Sequence, residues 1–145
     1  MPSMSIPLAA TSVARAERAF DIALDWSANR KQFGKVIGKF QGVSFKLADM
    51  ATQVESARLL TEQAALAYDK GERCDMEAGM AKLAASEAAL YNSLEAMRLH
   101  GAYGYSKEFD IERYYRDAPL LAIGEGTNEL QKLIIAKQLI ARNPV

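Results

Sequence analysis

Residues 75–99 read Asp-Met-Glu-Ala-Gly-Met-Ala-Lys-Leu-Ala-Ala-Ser-Glu-Ala-Ala-Leu-Tyr-Asn-Ser-Leu-Glu-Ala-Met-Arg-Leu. Alanine is the strongest helix former, and no proline interrupts the run. Met76, Met80, Leu83, Leu90, Leu94 and Met97 recur at helical spacing, so one long helix with an apolar stripe is expected here. Asp75 is a candidate N-cap, and the methionines read as core filler rather than ligands. Working toward the N-terminus, a second helix is expected over about 41–68. Val43, Leu47, Met50, Val54 and Ala57 form its stripe, and Gly71 follows as a C′ residue. A first helix is expected over about 12–32, with Val13, Ala16, Phe20, Ala23 and Leu24 on one face, broken near Gly34 and Gly38. Toward the C-terminus come a glycine-aromatic loop (101–105), a short charged turn (111–117) and an extended apolar stretch. The last helix then spans about 127–141, with Leu130, Leu133, Ile134 and Lys137 on its stripe and Pro144 beyond it. No segment alternates at period two. Four long helices and short loops give an all-α fold, an antiparallel up-down four-helix bundle over 12–145 behind a tail at 1–11.

The 145 residues suit one domain, and half of them are hydrophobic, enough for a core. Lys plus Arg equals Asp plus Glu at 18 each, so no nucleic-acid or anionic-membrane footprint is expected. No apolar run nears the roughly 18 residues of a membrane span. The start lacks a basic, then apolar, leader pattern. The single cysteine, Cys74, excludes an internal disulfide and fits a cytoplasmic location.

One stretch carries chemistry. In Leu120-Leu121-Ala122-Ile123-Gly124-Glu125-Gly126-Thr127-Asn128-Glu129 an apolar run delivers a lone carboxylate between two glycines. Glycines let a ligand approach the backbone. A carboxylate among apolar groups ionises reluctantly and is a better base near neutral pH. That suits proton abstraction from a carbon acid. A glycine turn followed by a helix cap at Thr127 or Asn128 accounts for the same residues without chemistry. Arg30-Lys31-Gln32-Phe33-Gly34 either complements a helix C-terminus or aims Arg30 at a phosphate, with Gln32 beside it. His100 has no metal-ligand or nucleophile constellation around it and reads as structural. No metal site is expected.

Taken in order, these segments resemble one family. Arg30-Lys31-Gln32-Phe33-Gly34, Phe40-Gln41, Leu47-Ala48-Asp49-Met50, Ala57-Arg58, Ala81-Lys82, His100 to Tyr105, Glu112 to Asp117 and Glu125-Gly126-Thr127-Asn128-Glu129 are similar to the C-terminal helical domain of acyl-CoA dehydrogenases, over about residues 12–142. The resemblance implies a flavoenzyme whose chains carry an N-terminal helical domain and a β-domain before this bundle, and which assembles as dimers or tetramers through it. It implies oxidation of the Cα–Cβ bond of an acyl-CoA thioester to the 2-enoyl-CoA. A glutamate takes the α-proton and hydride passes to flavin N5. Glu125 matches that base, and its N–H matches a donor to the thioester oxygen. Arg30 matches a contact to the flavin pyrophosphate of a neighbouring subunit. Gln32, Phe33, Gln41, Thr127 and Glu129 match other FAD contacts.

Several positions depart from the family pattern. Gly124 stands where an aromatic is usual, which enlarges the acyl pocket. Arg98 replaces a glutamine and keeps a donor suited to phosphate. Ala102 replaces the second glycine of a pair that meets the cofactor, and its methyl works against tight flavin binding. The family's CoA-contacting Asp-x-x-Arg pattern has no match near Pro2–Ser5, and its alternative base position falls near Met4. Glu125 is then the sole candidate base. The family's first two domains have no counterpart among these residues. Two expectations follow: a dehydrogenase domain that needs a partner chain to complete its FAD and acyl-CoA site, or a non-catalytic oligomerising bundle that has lost the chemistry.

Overall fold

A computed structural model describes residues 2–144; Met1, part of the expected tail, and Val145 lie outside it. Five α-helices are present: α1 (Pro2–Asn29), α2 (Gln41–Asp69), α3 (Asp75–His100), α4 (Ile111–Ile123) and α5 (Asn128–Arg142). Short 3-10 turns cover Ile37–Lys39 and Gly101–Tyr105. The all-α expectation holds. The helix count differs, because the charged turn and the apolar stretch after it are one helix, α4.

The bundle is nevertheless four columns wide. Helix α3 packs against every other helix. Ile111, at the start of α4, is buried with Ala96 of α3, whereas the carbonyl of Ala122, near its end, meets Lys82. Asn128, which opens α5, meets Lys82 and Glu87, and Arg142 at its end meets Glu77 and the carbonyl of Arg73. Thus α4 and α5 run head to tail down α3, both antiparallel to it. Together they form the fourth column, and the break in that column is the segment Gly124–Thr127. Positions 111, 114, 118 and 121 of α4 form a helical stripe, with Tyr114 half-buried and the others buried. Tyr114 and Pro119 obscured that period in the sequence. Pro119 sits on the exposed face, where its missing N–H is tolerated.

The tail expected over residues 1–11 is helical over its described part. Pro2 opens α1, where the absent N–H costs nothing. Pro7 lies inside the helix, but Ala9 is fully buried in the core with Ile6 and Leu8 packed against it. Packing overrides the turn propensity. The first helix also stops earlier than expected, at Asn29. Lys31–Gln32 then pairs antiparallel with Lys35–Val36, with Lys31 opposite Val36 and Gln32 opposite Lys35. The two-residue loop between them is Phe33-Gly34, at φ 53° and 81°. Positive φ at both loop positions is what a primed hairpin turn requires.

Helix α2 ends as Gly71 predicts. Gly71 has φ 72°, its N–H donates to the carbonyl of Tyr68 and the N–H of Glu72 to that of Ala67, a Schellman closure. Its stripe is as expected, with Met50, Val54 and Ala57 buried. Asp75, by contrast, is the first residue of α3 and not its cap; Cys74 holds the cap position.

The stripes of α3 and α5 are corrected by the structure. Small residues, Ala78, Gly79, Ala81, Ala85, Ala88, Ala89, Ser93 and Ala96, face the interior of α3, whereas Met76, Met80, Leu83, Leu90 and Met97 are half-buried and Leu94 is exposed. A helix surrounded on all sides gains close backbone approach from small side chains, and the large ones are displaced to the seams. A Cβ on Gly79 would lie 3.1 Å from Ile135 of α5. In α5 the buried positions are polar, Asn128, Gln131 and Gln138, while Leu130, Leu133, Leu139 and Ile140 face outward.

Candidate functional site

The break between α4 and α5 is built residue by residue. The N–H of Gly124 donates to the carbonyl of Leu120 at 2.7 Å and closes α4, and Gly124 itself is extended. Glu125 follows at φ 53° and Gly126 at φ 91°. A left-handed conformation at a residue other than glycine costs on the order of 1–3 kcal/mol and persists only where the surroundings impose it. Thr127 then caps α5, its Oγ1 accepting from the N–H of Leu130 at 3.3 Å. The cap reading made from the sequence is correct, and it coexists with a strained carboxylate immediately before it. Glu125 is exposed, and among the described residues its N–H has no acceptor. Replacing Glu125 with glycine removes the left-handed cost, about 1–2 kcal/mol, against about 0.4–1 kcal/mol of added chain entropy when unfolded. Glu125→Gly is therefore expected to raise stability slightly in urea titration; a clear loss would show that the turn is unstrained.

Beneath the turn lies a polar network that sequence reading did not assemble. Lys82 is 0% exposed. Its Nζ donates to the carbonyl of Ala122 at 3.2 Å and to Oδ1 of Asn128 at 2.9 Å. Ser86 Oγ also donates to that Oδ1, at 3.0 Å, and Asn128 Nδ2 donates to Oε1 of Glu87 at 2.8 Å. Burial pushes the Lys82 ammonium below the usual lysine range, and the carboxylates of Glu129 and Glu87 oppose that shift. The signal available in the sequence was a lysine standing in register with Ala78, Ala85 and Ala89 on the buried stripe.

A second group gathers at the other end of α3. Arg30, half-buried, holds its guanidinium 5.6 Å from the Trp26 ring and 5.2 Å from the Tyr103 ring. Cation–π contact of this kind fixes the head group. Trp26 is held in turn: its Nε1–H donates to the carbonyl of Leu99 at 3.1 Å, and it stacks on His100 at 4.4 Å. His100 Nδ1 lies 2.7 Å from the carbonyl of Ala96 and must carry the proton, since a carbonyl only accepts. Burial pushes its pKa down, against that bond, and so favours the neutral ring. The structural reading of His100 stands. No carboxylate pairs with Arg30 among the described residues, so its charge is available to an anionic group. Phe33 is 92% exposed at positive φ, and Gln32, Gln41, Arg98 and Ala102 are also exposed around this end. Arg98 is engaged by Glu95 at 2.6 Å, an acid that also pairs with Lys46. Exposure of Phe33 and Ala102 means that neither serves this chain's own core. Trp26 was missed in the sequence because its role lies in packing Arg30, just past the end of the same helix.

The structure therefore sorts the candidates into two groups. Glu125, Thr127 and Glu129 sit at the column break near Lys82; Arg30, Gln32, Phe33, Gln41, Arg98 and Ala102 sit around His100. Along α3 the two lie roughly 27 Å apart at the helical rise. No cluster of three metal-ligating side chains occurs, and no helix is long and apolar enough to cross a membrane, among the described residues.

A family model described as the acyl-CoA dehydrogenase C-terminal domain matches residues 4–140. The chain belongs to the acyl-CoA dehydrogenase family. An acyl-CoA dehydrogenase of Bacillus subtilis is 48% identical over 135 residues, 93% of this chain and 36% of that one. Butyryl-CoA dehydrogenase from Megasphaera elsdenii superposes with a TM-score of 0.92 at 42% identity, over 94% of this chain and 36% of that chain. A FAD complex of PigA is also similar, with a TM-score of 0.88 at 33% identity, over 93% of this chain and 35% of that chain. The chain thus spans about a third of the length of the acyl-CoA dehydrogenases it matches. Its match to the family's helical domain begins at residue 4, within α1, where the sequence alone suggested a tail.

Proposed function

We propose that this chain is the C-terminal domain of a flavin-dependent acyl-CoA dehydrogenase, with Glu125 as the base that removes the α-proton. The observation that carries the reading is the column break: a helix pair is interrupted only to present one carboxylate, in a strained backbone conformation, between two glycines. An assembly module has no use for that strain. Glu125 takes the α-proton on its carboxylate, and its own N–H is the donor available to the thioester oxygen as charge develops there. Gly124 and Gly126 keep side-chain bulk away from the substrate carbon. Bound FAD supplies the hydride acceptor. Thr127 and Glu129 lie on the same turn and hold the cofactor from that side.

The residues around His100 fit an anionic cofactor group: a fixed, unpaired guanidinium at Arg30, with Gln32, Phe33, Gln41, Arg98 and Ala102 exposed beside it. Set about 27 Å along α3 from the level of the Glu125 turn, this group serves the FAD of a neighbouring copy rather than its own. A homodimer or tetramer would supply that neighbouring copy. Leu120, Ile123, Leu133 and Ile140, all more than 60% exposed along α4 and α5, give it an apolar face to bury. Light scattering at micromolar concentration is expected to show a dimer or larger; a clean monomer would contradict this. The remaining domains of the family cover the rest of the cofactor and the acyl-CoA, and a partner chain is the proposed source where they are not on the same one. The proposed location is the cytoplasm.

The test is anaerobic. The chain is combined with the N-terminal helical and β-domains of a homologous dehydrogenase, loaded with FAD and given a short saturated acyl-CoA. Bleaching of the flavin with one 2-enoyl-CoA formed per flavin supports the proposal. A loaded assembly that does not bleach favours the alternative, a non-catalytic oligomerising bundle.

A further inference from the structure

We propose that Lys82 is a positioning residue that fixes the Glu125 turn by clamping both of its ends. The inference rests on the reading of Glu125 as the base. A buried ammonium is costly, and a Leu or Met would fill the same space in an alanine-lined core without that cost. What Lys82 supplies instead is two aimed donors. One reaches the carbonyl of Ala122, three residues before Glu125; the other reaches Oδ1 of Asn128, three residues after it. The first satisfies one of the carbonyls that a helix C-terminus leaves without a partner and places a cation at its negative end. The second ties the opening residue of α5 to the same atom. Asn128 is held against rotation by Ser86 and Glu87, so the anchor is rigid. The side-chain Nε2 of Gln131 lies 3.1 Å from where a Cβ on Gly126 would stand. A left-handed Glu125 needs surroundings that impose its backbone, and this clamp from α3 imposes it.

The first measurement uses the full chain alone. Backbone amide exchange is followed by NMR in the parent, Lys82→Met and Asn128→Ala. Gly124, Leu130 and Gln131 carry the N–H groups whose bonds frame the turn. Their exchange is expected to quicken roughly tenfold or more in both variants while the slow amides of α1 and α2 hold their rates. Unchanged rates at the turn, or a uniform rise across all helices, would overturn the proposal. If Lys82→Met does not fold, Asn128→Ala decides it; failure of both to fold assigns Lys82 to stability alone and also overturns it.

The second measurement uses the flavin-loaded assembly. Lys82→Met is expected to lower kcat at least tenfold with KM and flavin affinity near parental, and to add no further loss in a Glu125→Gln background. If Glu125→Gln itself stays active, the proposed function fails. If Glu125→Gln is inactive and Lys82→Met keeps the parental kcat, the proposed function stands and the positioning role fails.

Discussion

In the flavin-loaded assembly, Glu125→Gln is expected to slow α-proton removal by about 10²–10⁴-fold, the usual range for losing a general base, and by more where the substrate is a weak carbon acid. The amide has nearly the shape of the carboxylate but no lone pair basic enough to take the proton. Glutamine is no better suited than glutamate to φ 53°, so the turn conformation and its strain are retained. Glu125 is exposed, and its loss breaks no contact of the core, so stability is expected to stay within about 0.5 kcal/mol of the parent. Flavin and acyl-CoA affinities are expected to hold, which separates loss of chemistry from loss of binding. Glu129→Gln is the contrasting variant. Glu129 lies in the first turn of α5, and its neutralisation is expected to alter cofactor affinity more than the rate. Parental rates in Glu125→Gln would remove this chain from the chemistry.

The largest loss of stability is expected from Ile111→Ala. Ile111 is fully buried at the start of α4 in a cluster with Ala19, Ala23, Met50 and Ala96, flanked by Phe109 and Tyr114. The alanines around it cannot collapse into the space it vacates, so the cavity persists. Truncating a buried isoleucine in this way costs about 2–5 kcal/mol. For a domain of this size that lowers Tm by roughly 5–15 °C. The loss also frees the start of the fourth column, whose other end carries Glu125. Leu133→Ala, on an exposed position of α5, is the control: its effect within a monomer is expected to stay under about 0.5 kcal/mol, and any larger effect that depends on protein concentration locates Leu133 at a subunit interface. A thermal melt of Ile111→Ala that matches the parent would show that this cluster does not anchor α4.

The sequence conveys the columns better than the seams. The stripe of α2 is visible because its apolar residues are large and regularly spaced, and Gly71 marks its end by a conformation that only glycine adopts freely. Helix α3 is visible as a helix but not as the centre of the bundle. Its large residues suggest the buried face, whereas its position inside the bundle makes the alanines that face. The polar interior of α5 and its outward leucines follow from the same assembly logic, which a single chain's periodicity does not reveal. Pro7 lies inside α1 and Pro119 inside α4, and in each case buried neighbours, Ala9 and Leu121, hold the helix together. The Glu125 turn was legible from Gly124, Gly126 and Thr127. Its support was not, because Lys82 lies 43 residues away in sequence and joins the turn only when α4 and α5 dock on α3.

The visible absorption spectrum tests most directly whether this chain holds part of a composite flavin site. The purified chain is mixed with FAD, separated from free cofactor and measured, first alone and then with the N-terminal helical and β-domains of a homologous dehydrogenase. Alone, it is expected to retain no flavin, since the residues proposed to contact the cofactor lie in two distant groups and Ala102 adds bulk at one of them. With the partner domains, about one FAD per chain is expected to remain bound, with affinity lost on Arg30→Ala. Stoichiometric flavin on the isolated chain, or none in the complex, would contradict the account.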